Sequence, residues 1–124
     1  VTGSTRLSLA IRDTFAAALA LPDHDGICRQ AHGYRFTVDL TVAGDVSADH
    51  PWIVDVAALE ALLKEQVLDP LDGSDLRDHM PYPSLEGLLL WILGRLRPAV
   101  PGLVRVEVHA PPKYRVQWTA SGEV

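Results

Sequence analysis

Between positions 6 and 12 apolar and polar residues alternate. Leu7, Leu9 and Ile11 fall on one side of an extended chain, Arg6, Ser8 and Arg12 on the other. Successive side chains of a strand point to opposite faces, so this spacing predicts a half-buried strand. It continues irregularly through Phe15 to Leu21, until Pro22-Asp23-His24-Asp25-Gly26 supplies a loop dense in turn residues. A second strand is predicted from Tyr34 to Val42, where Tyr34, Phe36, Val38, Leu40 and Val42 alternate with Arg35, Thr37, Asp39 and Thr41. Ala43-Gly44-Asp45 is expected to end it.

The period then lengthens. With Asp55 as a candidate N-cap, Leu59, Leu62, Leu63 and Val67 make the apolar stripe of a first helix. A second helix is predicted from Pro83-Ser84, carrying Leu85, Leu88, Leu89, Ile92, Leu93 and Leu96, with Pro98 as its stop. Gly87 and Gly94 lie on it. Each costs about 1 kcal/mol against alanine in a helix interior, so a close neighbour is expected there. Two strands close the chain: Val104, Val106 and Val108 alternate with Arg105, Glu107 and His109, and Tyr114, Val116 and Trp118 with Lys113, Arg115 and Gln117. Pro111-Pro112 cannot donate ladder hydrogen bonds and marks the hairpin turn. The predicted order is β-β-α-α-β-β, an α+β fold in one domain spanning residues 1–124.

Composition narrows the function classes. The chain has 124 residues and a net charge of −5, with no basic cluster, so nucleic acid is not an expected partner. No apolar run approaches the ~20 residues of a membrane helix, and Phe15 to Leu21 lacks the flanks of a signal peptide, so no membrane partner is expected. A single cysteine cannot close an internal disulfide, which fits a reducing, cytoplasmic setting. Arginine outnumbers lysine nine to two, the bias of a GC-rich genome.

The chemistry concentrates in Cys28-Arg29-Gln30-Ala31-His32-Gly33-Tyr34. It holds the one cysteine, a histidine four residues on, and a glycine expected to turn the backbone sharply into the second strand. It resembles the Cys-x3-His-Gly-His signature of the 6-pyruvoyl-tetrahydropterin synthase and 6-carboxytetrahydropterin synthase family, with Tyr34 in place of the last histidine. Four more motifs follow the family pattern in order. Phe15-Ala16-Ala17-Ala18-Leu19 matches Phe-x-Ala-Ala-His, and Trp52-Ile53-Val54-Asp55-Val56 matches a strand entering the first helix. Leu68-Asp69-Pro70 matches Leu-Asp-His, and Pro83-Ser84-Leu85-Glu86 matches Pro-Thr-x-Glu. The resemblance implies the tunnelling fold (T-fold): an antiparallel sheet with two helices on one face, and subunits joined edge to edge in a ring. A homo-oligomer, trimer or hexamer, is therefore expected, and open sheet edges call for one on physical grounds as well.

The resemblance also implies which chemistry has changed. The family binds zinc through three histidines, and a catalytic zinc site needs three protein ligands and an open position. The matching positions are Leu19, His32 and Tyr34, so neither metal nor other cofactor is expected unless His24 or His79 rebuilds a centre. The family activates its cysteine with an Asp-His pair; here Cys28 and Asp69 remain and the histidine is Pro70. Without that base nothing evident lowers the thiol pKa from its usual ~8.5. The family holds the pterin ring with a glutamate whose place is taken by Ala110, before Pro111. Glu107, three residues away along a strand, falls on the other face.

Each candidate has a plain reading beside its chemical one. Cys28 is a proton carrier or nucleophile, or a small buried hydrophobe. His32 is a general acid or base, or a structural histidine. Tyr34 is an acid, or core filling beside Leu19 in a collapsed metal site, and the latter is favoured. Asp69 orients Cys28 or His32, or caps the turn Asp69-Pro70-Leu71-Asp72-Gly73, which is favoured. Glu86 is a site carboxylate, or complements a helix dipole. His50, His79 and His109 are expected in solvent. Two functions follow. One is a metal-independent cyclase or lyase using Cys28, His32, Tyr34, Asp69 and Glu86 on a small-molecule substrate, in specialised metabolite biosynthesis. The other is a non-catalytic ligand-binding or structural T-fold protein. A zinc-dependent pterin synthase is a third reading.

Overall fold

The computed structural model describes residues 3–19 and 32–121, with the side chain of His32 outside the description. Strand β1 (Thr5–Leu19) pairs antiparallel along its whole length with β2 (His32–Val46). β2 pairs with β4 (Leu103–Ala110), and β4 with β5 (Tyr114–Thr119), both antiparallel. A two-residue strand, β3 (Ser74–Asp75), lies parallel to β1, giving the sheet order β3-β1-β2-β4-β5. One face of the sheet carries Phe15, Phe36, Val38, Leu40, Val106 and Val108, all buried beneath the helices. Phe15 and Phe36 stack with ring centroids 5.3 Å apart.

Helical residues fall where the 3.6-residue period puts them. Asp55 caps α1 (Val56–Leu63), accepting hydrogen bonds from the Ala57 and Ala58 amides at 3.0 and 3.3 Å. The run continues through a π-helical turn, Lys64–Leu68, into α2 (Asp69–Leu71). Arg95 donates to the Gln66 carbonyl of that turn at 2.5 Å and lies over the Trp91 ring. Ser84 caps α3 (Leu85–Leu96) by accepting from the Gly87 amide at 2.9 Å. Leu88, Leu89, Ile92, Leu93 and Leu96 bury the inner face of α3. None of the described helices is long and apolar enough to cross a membrane.

Several local expectations change. β2 passes through Gly44 to Val46 instead of stopping at Ala43-Gly44-Asp45, because Thr5 to Ser8 of β1 pair with that stretch. Gly44 is there for a close approach: a Cβ would lie 3.1 Å from Ile53 Cγ2. Residues 52–55 form no strand. Gly33 has neither positive φ nor a close neighbour and pairs with Ala18 as an ordinary strand residue. The expected neighbour exists at Gly87, whose Cβ would meet the Tyr82 carbonyl oxygen at 2.5 Å. Gly94 faces open space. Pro111-Pro112 is a cis peptide at the β4–β5 turn.

The sharpest backbone constraint is Gly102. Its φ is +78°, its carbonyl accepts from the Ala43 amide at 2.9 Å, and a Cβ would sit 2.9 Å from the Ala43 carbonyl oxygen. An L side chain would add left-handed strain to a backbone clash. Gly102→Ala is expected to cost about 1–3 kcal/mol. The midpoint of urea unfolding should fall accordingly, and an unchanged midpoint would contradict it.

Candidate functional site

The sheet opens at one end, and that opening makes the site. The last pair between β2 and β4 is Thr37 with His109, so residues 32–36 of β2 run on without a β4 partner. Tyr34 and Phe36 line one side of the gap, Ala110 and Tyr114 the other, and the first turn of α3 closes the end with Leu85 and Glu86. Leu19, at the end of β1, completes a cavity of about 440 Å³. The Tyr34 and Phe36 rings lie 5.7 Å apart. Tyr34 is 38% exposed and Tyr114 67%, so neither seals the cavity. Tyr34 therefore does not fill a closed core: with β4 ending at Ala110, no strand among the described residues covers it.

The polar groups at this cavity are few. The Ser84 hydroxyl is engaged in capping α3. Glu86 is exposed and, among the described residues, its carboxylate has no partner. It sits in the first turn of α3. Arg115 also lines the cavity and makes no ion pair with a described residue.

The remaining sequence candidates are placed as follows. Cys28 and His24 lie outside the described residues. His32 occupies the start of β2, paired with Leu19 and two residues before Tyr34. Asp69 does not line the cavity; it is exposed and accepts both contacts of the Lys64 ammonium, at 2.9 and 3.0 Å. Nor does Asp69 cap a turn. It belongs to a helical turn, while Asp72, next to Gly73 at φ +76°, ties the turn to β1 by accepting from the Ala16 amide at 2.9 Å. His79 is not a solvated loop residue but lies half-buried with its ring 5.8 Å from Trp91. It lines no part of the cavity.

Two of the three histidine positions implied by the resemblance, 19 and 34, thus meet in one cavity, and they hold a side chain without a donor atom and a phenol. These residues do not fit a three-histidine zinc site. Ala110, in the place of the ring-anchoring glutamate, lines the same cavity, while Glu107 lies on the opposite face of the sheet.

That helix-free face holds the one group of metal-ligand side chains found among the described residues. Asp39, Glu107 and His109 bring ligand atoms within 4.8 Å of one another. Their charges are already matched. Arg12 donates to both Asp39 oxygens at 2.6 and 2.9 Å, and Arg105 contacts Glu107 at 3.1 Å. His109 Nε2 is 3.1 Å from Asp39, so His109 is bound in a network rather than solvated, as its half-buried place on a central strand requires. Arg12 is the main cause that holds the Asp39 carboxyl below its ordinary value, with His109 adding to it. A depressed folded-state pKa stabilises the fold above the unfolded value near 3.8, and this contribution is lost as pH falls through the lower folded value. Asp39→Asn is expected to cost about 1 kcal/mol at neutral pH and to flatten the fall in stability on the acid side. An acid limb identical to the native one would rule this out.

Tyr114, Arg115 and Val116 were not singled out by the sequence. The signal available was an aromatic-cation pair directly after a Pro-Pro turn. The family profile described as 6-pyruvoyl tetrahydropterin synthase matches residues 8–120. A 6-carboxy-5,6,7,8-tetrahydropterin synthase of Synechocystis sp. is 36% identical over 102 residues, covering 77% of this chain and 79% of the relative. A dihydroneopterin monophosphate aldolase of Pyrococcus furiosus is 28% identical over 96 residues, covering 77% and 80%. In fold, the chain is similar to the 6-pyruvoyl tetrahydropterin synthase of Caenorhabditis elegans, with a TM-score of 0.82 at 19% identity over 94% of this chain and 97% of that one.

Proposed function

The chain belongs to the 6-pyruvoyl tetrahydropterin synthase family, and we propose that it is a divergent, metal-independent member: a cytoplasmic cyclase or lyase of specialised metabolism. It would act on a small molecule by acid–base chemistry. The observation that carries this reading is the Glu86 carboxylate, without a partner among the described residues, on a cavity lined mainly by apolar and aromatic side chains, Leu19, Tyr34 and Ala110 among them. A concave apolar site with a few placed polar groups is the usual setting for small-molecule chemistry. Glu86 accepts a proton from the substrate, and the Tyr34 phenol returns one. Cys28 and His32, which precede Tyr34 in sequence, are proposed as further acid–base groups on the strength of the motif resemblance alone. Asp69, held by Lys64, is given no part in the chemistry.

A ring of copies is part of the proposal. Among the described residues β1 meets β3 only at Ala17 and Ala18, so most of its outer edge is unpaired, as is the outer edge of β5. Leu7 is 49% exposed, and Leu90 with Trp118 lines a groove beside β5. β1 of one copy laid along β5 of the next would cover both.

Metal-stripped protein is expected to consume one class of compound from a fractionated small-molecule extract, followed by mass spectrometry. Glu86→Gln should slow that consumption by about 10²-fold or more. Equal rates in the two proteins, or turnover only after zinc is restored, would sink the reading. Retention of a compound without conversion would favour the second reading, a ligand-binding protein, for which the apolar lining already speaks.

A further inference from the structure

We infer that the ligand of this cavity is an organic cation, with a hydrocarbon or aromatic body in the apolar part and a protonated amine against the Glu86 carboxylate. This rests on reading the cavity as the working site. The support is an account of the whole lining. Of the ten residues around the cavity of about 440 Å³, seven are apolar or aromatic. Of the other three, Ser84 is engaged by the α3 cap. Arg115 edges the cavity between Tyr114 and Val116, but it pairs with His109 in the β4–β5 ladder. Residues paired across antiparallel strands share a face, and neighbours along a strand alternate. The Arg115 guanidinium therefore belongs with His109 on the helix-free side, opposite the face of the Ala110–Tyr114 pair. Glu86 is left as the one charge that the lining turns to the cavity, and no described residue pairs with it.

The sign of the site follows. Near a protein surface charges attract more strongly than in bulk water, because the effective dielectric is lower. The first turn of α3 sets roughly half a positive charge against the full negative charge of Glu86, so this end of the cavity stays negative. The net charge of −5 works in the same direction at longer range. No described side chain supplies the counter-charge, so the ligand does. An ammonium meets a carboxylate with charge-assisted N–H donors. The Tyr34 and Phe36 rings, 5.7 Å apart, and the exposed Tyr114 offer faces that suit both a cation and an apolar body. A polar heterocycle suits the wall less well. One carboxylate would satisfy one edge of it, and its other donors and acceptors would lie unpaired against Ala110, Phe36, Leu19 or Val116. An ammonium also carries a proton of the kind that Glu86 is proposed to accept.

Calorimetric titration of the full chain with 1-naphthylmethylamine, uncharged 1-naphthylmethanol and anionic 1-naphthoate tests this. The three probes share one apolar body and differ in charge. The amine is expected to bind about tenfold or more tighter than the alcohol, and the carboxylate more weakly than either. Glu86→Gln should bring the amine down to the level of the alcohol and leave the alcohol in place. Arg115→Gln should leave the amine as tightly bound as before, because that guanidinium faces the other side of the sheet. An amine that binds no better than the alcohol, or binds native and Glu86→Gln protein equally, would overturn the cation seat. So would a carboxylate that binds tighter than the amine, or folded native protein that binds none of the three. Each of these results leaves the acid–base reading to the extract assay, where turnover by native protein and its loss in Glu86→Gln would uphold that reading without the amine.

Discussion

Replacing Leu19 and Tyr34 together by histidine is expected to give a chain that keeps about one zinc ion per protomer through dialysis, where the native chain keeps little. Leu19 and Tyr34 line one cavity, and His32 is paired with Leu19 in the β1–β2 ladder. The two substitutions would therefore bring the number of histidines to three, the protein-ligand count of an open zinc site. Either single substitution leaves two and should fall well short. Elemental analysis of the purified variants reads the ratio. A second readout is thermal: a ligand that binds the native state alone raises stability by about 2.7 kcal/mol at a hundredfold excess over its Kd. Zinc should thus raise the melting temperature of the double variant and leave that of the native chain in place. A folded double variant with no zinc would show that positions 19, 32 and 34 do not form one centre. Stoichiometric zinc in the native chain would show that other residues do.

Phe36→Ala should produce the largest loss of stability among single substitutions at the cavity, about 3–5 kcal/mol. Phe36 is fully buried, stacks on Phe15 and also lines the cavity, so it joins the core to the site. Its removal deletes contacts on both sides, and the open cavity beside it limits how far the core can collapse to recover them. Denaturant unfolding should show a lower midpoint with an unchanged slope. Ligands of the cavity should bind more weakly at temperatures where the variant is still folded. A loss under about 1 kcal/mol would mean that Phe36 is far less well packed than its burial indicates.

How much of this was legible in the sequence differs from element to element. Period-2 and period-3.6 spacing reported the strands and helices well, because each is one face of a core. The cap at Asp55 could be located because a side-chain oxygen two or three residues before free amides is a local device, whereas Ser84 was read only as part of a helix start. Gly44 misled as a stop, since whether a glycine ends a strand or admits a neighbour depends on Ile53, nine residues on. His109 misled as a solvated residue for a related reason. Its partners Asp39 and Arg12 come from strands up to 97 positions away. Tyr34 read as core filling because alternation cannot say where a covering strand ends. Tyr114 and Arg115 offered only a faint signal, since an aromatic-cation pair near a hairpin turn looks like any exposed strand end until the cavity is seen beside it.

By itself the sequence determined the family and the α+β order, because those follow from patterns that repeat along the chain or match motifs in order. It also determined that histidine is missing from positions 19 and 34, which is a matter of residue identity alone. Tertiary structure decided that Leu19, Tyr34, Ala110 and Glu86 share a single cavity, that Asp69 lies outside it, and that Asp39 and Glu107 are tied to arginines with His109 against Asp39. The reason is distance along the chain. Local spacing reaches four or five residues, whereas a site is assembled by strand register and helix placement from segments tens of residues apart.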